Sequence, residues 1–217
     1  MTVLTGAKSV FYAHVPKTGG TYVEDLFVLN GYRRGFWCAS RAKNGLRTSF
    51  QHFDRQLYES CIDFAAMDFC FITVRHPVDR LLSEYRNSGN GQDIAGWLRK
   101  LGNALDADPY FLDNHFRPQV DFYLPPMAVF RQEDRYDAAW ARAFDASHGL
   151  GFEVFETERK LDTQAKARPL SPAEADAVAG FCRSRYQADF EVFGYAMDDA
   201  RAFSGLGAAA AELGAPG

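Results

Sequence analysis

Val10-Phe11-Tyr12-Ala13-His14-Val15-Pro16-Lys17-Thr18-Gly19-Gly20-Thr21 is a short apolar run that empties into a Lys-Thr-Gly-Gly-Thr turn. It reads as a strand that delivers an anion-binding loop. Two adjacent glycines open backbone conformations closed to other residues, so successive N–H groups can converge on an oxyanion. Thr18 and Thr21 add hydroxyls and Lys17 adds a charge. Tyr22 to Leu29 follows with apolar residues at roughly helical spacing, which sets the loop at a helix N-terminus, where the dipole favours negative charge. Strand, glycine turn and helix together predict a phosphate or sulfate cradle. A nucleotide triphosphatase loop carries its lysine after the second glycine, whereas Lys17 precedes both and approaches from the strand side. Taken alone, the segment also fits a plain strand-to-helix turn with a surface lysine.

A second segment favours the cradle. Asp68-Phe69-Cys70-Phe71-Ile72-Thr73-Val74 is a continuous apolar run of strand length that stops at Arg75-His76-Pro77. Pro77 suits the first turn of a helix, and Val78, Leu81, Leu82 and Tyr85 then share one face, away from Arg80 and Glu84. Arg75 at the strand tip and Ser83 on the helix suit a single phosphate, the guanidinium as a fork and the hydroxyl as a donor. An ion pair of Arg75 with Asp79 or Glu84 is the structural alternative.

Phe11 to Thr21 resembles the 5′-phosphosulfate loop, His-x-Pro-Lys-Thr-Gly-Gly-Thr, of sulfotransferases that use 3′-phosphoadenosine 5′-phosphosulfate (PAPS). Ile72 to Tyr85 resembles their 3′-phosphate loop, with Arg75, Pro77, Arg80, Ser83 and Tyr85 in place. Asn114-His115-Phe116-Arg117-Pro118-Gln119 is similar to the His-x-x-Pro-Gln element of Golgi-type carbohydrate sulfotransferases and their bacterial relatives, and Tyr186 to Tyr195 to the family's closing Tyr-x-x-Asp-Phe element. The resemblance spans roughly residues 9 to 195, and its first two motifs are specific in combination. It implies a three-layer α/β fold of P-loop-like type, with a central parallel sheet flanked by helices.

The pattern along the chain agrees. Strands are expected near Val10 to His14, Phe69 to Val74 and Met127 to Phe130, and helices over Tyr22 to Leu29, Phe53 to Cys61, Val78 to Arg86, Ile94 to Leu101, Arg135 to Ala146 and Pro172 to Phe190. Asn87 to Gly91 reads as a loop, and Asp106 to Pro126 as irregular chain near the cleft. A single domain is expected over residues 1–203, with a frayed Ala/Gly-rich tail at 204–217. The net charge of −4 argues against a general nucleic-acid or acidic-membrane binder, so an anionic ligand must be met by local charges. Cys38, Cys61, Cys70 and Cys182 form no Cys-x-x-Cys pair and read as reduced, buried thiols. No window approaches a membrane span, and no anchor or stem like that of the Golgi relatives is present. A cytoplasmic, bacterial enzyme is therefore expected.

The chemistry that the resemblance implies is in-line transfer of a sulfuryl group from PAPS to a hydroxyl of a carbohydrate or other small acceptor, without a metal, releasing 3′,5′-ADP. Lys17 would stabilise the charge that builds on the bridging oxygen. Pro16, Lys17, Thr18, Gly19, Gly20 and Thr21 would hold the phosphosulfate, and Arg75 and Ser83 the 3′-phosphate. The acceptor proton needs a base near neutrality, and His52, between the two nucleotide loops, is the first candidate. His115 is the second, with acceptor contact its other role. Asp54 or Glu24 is the carboxylate fallback, and His14 and His76 are expected to orient backbone. His115, Arg117 and Gln119 lie in an aromatic and polar stretch suited to the acceptor. Two other classes stay open: a kinase-like nucleotide-binding enzyme, and a non-catalytic nucleotide-binding module.

Overall fold

The computed structural model describes residues 1–37, 45–89, 92–157 and 169–203, and the tail at 204–217 lies outside them. The chain divides into two compact units. One comprises Met1–Arg75 with Asp108–Asp162, the other His76–Ala107 with Thr163–Gly217.

The first unit holds the sheet. Its strands are β1 (Thr2–Thr5), β2 (Ser9–Ala13), β3 (Arg33–Gly35), β4 (Phe69–Val74) and β5 (Ala128–Arg131), in the order β3-β1-β2-β4-β5. The inner part is parallel: Tyr12 stands opposite Phe71, and Phe71 opposite Ala128. β1 is antiparallel to both β2 and β3, so the sheet is mixed at one side. Neither of those strands is apparent in the sequence, because β1 is short and β3 is a three-residue segment, Arg-Arg-Gly, of the polar kind that blunts a sheet edge.

Helices α1 (Gly20–Leu29) and α5 (Ala138–His148) pack on one face. There Val10, Tyr12 and Phe71, alternating out of their strands, meet Leu26, Phe27, Phe144 and Phe152. Each such fully buried side chain contributes roughly 1.5–3 kcal/mol. Phe11, of opposite parity, turns to the other face and packs against Tyr58 and Phe64. Tyr58 belongs to α2 (Arg55–Tyr58), which is shorter than the helix expected over Phe53 to Cys61. The cause is Asp54, whose extended backbone and side-chain bond from the Leu57 N–H restart the chain as a cap after a 3-10 turn at Phe50–His52.

The second unit is helical: α3 (Pro77–Ser88), α4 (Ile94–Ala107) and α6 (Pro172–Phe193). α6 starts with a capping box of Ser171 and Glu174. α3 runs through Asn87 and Ser88, which were expected in a loop, because both side chains bond back to Glu84 and extend the last turn. His76 caps α3, accepting from the Val78 N–H at Nδ1, while Nε2 donates to the Ala196 carbonyl. Arg80 is buried beside Tyr186 and Asp189, so the second and the closing motif meet inside this unit as structural partners. Cys182 is buried, Cys70 half-buried and Cys61 exposed, all as free thiols; Cys61 thus departs from the expected burial, and Cys38 lies outside the described residues. No helix among the described residues is long and apolar enough to cross a membrane.

Candidate active site

The glycine loop, Arg75 and both histidine–carboxylate pairs lie in the first unit. Beyond β2 the chain turns through His14 to Gly19 and enters α1 at Gly20. Pro16 is buried at the mouth of this turn. Lys17, at φ 69, and Gly19, at φ 86, are both left-handed, and this bends the loop over the first turn of α1. The first N–H groups of a helix have no acceptor within it; Tyr22 and Val23 donate to the Gly19 carbonyl, so those of Gly20 and Thr21 are the ones that suit an anion. Thr21 is half-buried at this end. Thr18 departs from expectation: its hydroxyl donates to the Val15 carbonyl at 2.8 Å and meets the Thr73 hydroxyl at 2.8 Å. Thr18 is wholly buried and pins the loop to β4.

The glycine loop and the end of β4 are adjacent. Arg75 Nη1 donates to the Lys17 carbonyl at 3.4 Å, so the guanidinium borders the glycine loop. Gln119 explains how Arg75 is held. Its amide oxygen accepts from the Arg75 N–H at 2.9 Å and its amide nitrogen donates to the Arg75 carbonyl at 2.8 Å. Gln119 is wholly buried. Expected at the acceptor, it instead clamps the peptide that presents the arginine.

His52 is 8% exposed, and its Nδ1 lies 2.8 Å from Asp113 Oδ2. Asp113 also accepts from the Thr48 hydroxyl and from both the N–H and hydroxyl of Ser49. Burial pushes this carboxyl up, but the bonds from His52, Ser49 and Thr48 outweigh it and hold it well below the usual carboxylate range. Burial drives the His52 imidazole down to about 4; the Asp113 bond opposes this, and His14 and His115 add to it. At neutral pH the ring is therefore uncharged. An ionised carboxylate only accepts, so Nδ1 carries the proton and Nε2 offers a lone pair. The chain invests backbone strain in this arrangement, since Leu112, Asp113 and Asn114 are consecutive non-glycine residues at φ 50, 58 and 62. Asn114 Nδ2 donates to the His52 carbonyl at 2.9 Å, and the His115 ring meets His52 edge-on with centroids 5.0 Å apart.

A second pair stands beside the first. His14 Nδ1 lies 2.8 Å from Glu24 Oε1, which also accepts from the Thr2 hydroxyl, while Gln51 Nε2 donates to Glu24 Oε2 at 2.9 Å. Burial pushes Glu24 up, but His14, Thr2 and Gln51 prevail and hold it at about 2. The His14 and His52 rings are 5.5 Å apart. His14 also borders the loop, because a Cβ on Gly20 would fall 2.7 Å from its Cε1, 2.8 Å from its Nε2 and 2.5 Å from Tyr12 Oη. The glycine is needed for this close approach.

The sequence model of the sulfotransferase family matches residues 1–125, more than half of the 217-residue chain. The chain belongs to the sulfotransferase family. Its reaction class is accordingly sulfuryl transfer, and the matched stretch carries the glycine loop, His52, Arg75, Asp113 and His115. No curated protein and no solved structure matches the chain.

The remaining predicted residues of this sulfotransferase fall as follows. Ser83 is buried on α3 in the second unit. Arg117 Nε lies 3.2 Å from Asp54 Oδ2 and 3.0 Å from Asp121 Oδ2, with its guanidinium over the Tyr110 ring. Asp54 and Glu24, the fallback bases, are thus an ion-pair partner and an imidazole anchor. His52, Asp113 and His115 have donor atoms within 4.8 Å of one another, the spacing of a metal-binding group, although Asp113 already accepts from His52, Thr48 and Ser49. Asp113 and Glu24 in their imidazole-holding roles, and Thr73 under the loop, escaped the sequence reading. One signal was available for the first: Asp and Asn at 113–114 are residue types that tolerate left-handed backbone.

Proposed function

We propose that this sulfotransferase moves a sulfuryl group from PAPS to a hydroxyl of a carbohydrate or other small acceptor, with His52 as general base and Lys17 stabilising the leaving phosphate. The observation that carries the reading is a buried imidazole, anchored through Nδ1 on Asp113, whose ring centroid lies 5.5 Å from that of the histidine that borders the anion loop. Within this reading the loop N–H groups cradle the phosphosulfate. Arg75, clamped by Gln119, meets the 3′-phosphate, and Ser83 enters through the sequence motif. His52 Nε2 takes the acceptor proton while the acceptor oxygen attacks sulfur. Charge then develops on the bridging oxygen, where an ammonium lowers the barrier more than it tightens substrate binding. His115 and Arg117 line the acceptor side. Residues 1–203 act as one catalytic domain, in a cytoplasmic bacterial setting that rests on the sequence alone, and no metal takes part.

The test is incubation of the protein with 35S-labelled PAPS and an acceptor panel, with and without a chelator. Chelator-insensitive label transfer supports the reading. Phosphate release from ATP with magnesium would move the protein to the kinase-like class, and nucleotide binding with no turnover to a binding module. Arg75→Ala should reduce the preference for 3′,5′-ADP over 5′-AMP; an unchanged preference removes Arg75 from the 3′-phosphate site.

A further inference from the structure

The reading proposed above gives roles to Lys17, Arg75 and His52 but none to the buried pair of His14 and Glu24. We infer that His14, anchored on Glu24 through Nδ1, contacts the transferring sulfuryl group by a hydrogen bond from Nε2. The inference rests on the PAPS reading above and deepens it. His14 directly follows β2, and Glu24 lies one turn into α1, so both are set by the elements that form the loop. Glu24 is wholly buried and is braced by Thr2 and Gln51, with Arg34 Nη1 3.9 Å away; only the Nδ1 side of His14 meets it. The Nε2 side faces Gly20, at the first turn of the anion-binding helix. The imidazoles then divide the work: one faces the sulfuryl oxygens, and one faces the acceptor.

In the step itself the acceptor oxygen forms the new S–O bond and its proton passes to His52 Nε2. The bond from sulfur to the bridging oxygen breaks, and its electron pair stays on the 5′-phosphate of 3′,5′-ADP. His14 transfers no proton. Its hydrogen bond to a non-bridging sulfuryl oxygen exists with PAPS and not with 3′,5′-ADP, which lacks that group.

Affinities for PAPS without acceptor, and for 3′,5′-ADP, therefore test the proposal. For His14→Ala the PAPS Kd should rise ~10-fold and kcat fall ~100-fold, while the 3′,5′-ADP Kd stays within about twofold. His14→Gln, which keeps an N–H donor near the Nε2 position, should recover part of the PAPS affinity. Parallel weakening of both nucleotides, or no change in either, would leave His14 a structural pin and overturn the inference. Should these variants fail to fold, the 15N resonance of His14 Nε2 in the wild-type protein decides: a shift with PAPS but not with 3′,5′-ADP supports the contact, and equal responses refute it. Wild-type protein that binds 3′,5′-ADP but gives no PAPS-specific response fails the inference alone. Protein that binds neither nucleotide fails the PAPS reading and the inference with it.

Discussion

His14 and Glu24 come from the end of a strand and the helix that follows it, ten residues apart, whereas His52 and Asp113 come from a 3-10 turn and a left-handed turn separated by 61 residues. Both pairs orient an imidazole by a carboxylate bonded at Nδ1. The first is built on regular hydrogen-bonded backbone and is tied to the anion loop by Gly20. The second is built on irregular chain and needs Ser49, Thr48 and Asn114 to hold it. A rigid strand-to-helix junction is suited to gripping one invariant donor, and loops of adjustable length to meeting whatever acceptor the enzyme uses.

The sharpest way to break this comparison is Asp113→Asn. The amide favours the wrong His52 tautomer, so kcat should fall ~10³–10⁴-fold with 3′,5′-ADP binding intact. A loss of nucleotide binding instead would place the second pair on the donor side. Lys17→Ala acts on the other side and should lower kcat by roughly two to three decades with a much smaller effect on nucleotide affinity. Equal losses in both would deny it the leaving-group role.

Acid separates the pairs further. The unfolded chain binds a proton at His52 near the ordinary value of 6.5, while the folded chain refuses it until about 4. Stability should therefore fall as pH drops through that window, by about 3 kcal/mol from this group, and be insensitive to it above 6.5. Glu24, depressed from 4.5 to about 2, adds a further loss only below its unfolded value. Thermal melts between pH 8 and 3 read both. In the same series kcat/KM should keep its base-dependent value down to about pH 5 and decline near 4 as His52 gains its proton; a limb at 6.5 would mean that the base is a solvated group. The smallest effect is expected from Gly20→Ala, whose methyl would press on Tyr12 Oη and His14 and cost about 1–3 kcal/mol by chemical denaturation. A neutral result would show that the loop-side pair is not tightly packed.

The parts of the fold built from continuous apolar runs were legible. β4 matches its expected bounds, α6 starts at its capping box, and the loop between β2 and α1 follows from Gly19-Gly20. β1 and β3 were not, because an edge strand needs little apolar sequence and is recognised by its neighbour. At the candidate site, His52 is singled out in the sequence only by its position between two motifs, and Asp113, its partner, sits in what reads as ordinary irregular chain. Gln119 stands in a motif, but its clamp on the Arg75 peptide is invisible there, since a glutamine that binds a ligand and one that clamps a peptide look alike in sequence.

The amino-acid order by itself determined the anion loop, the strand that ends in Arg75 and the family to which they belong, because each depends on neighbours a few residues apart. Only the tertiary structure decided which carboxylate holds which histidine and that the Thr18 hydroxyl turns inward. Those outcomes depend on groups distant in the chain, brought into a buried space where an unpaired polar atom is costly.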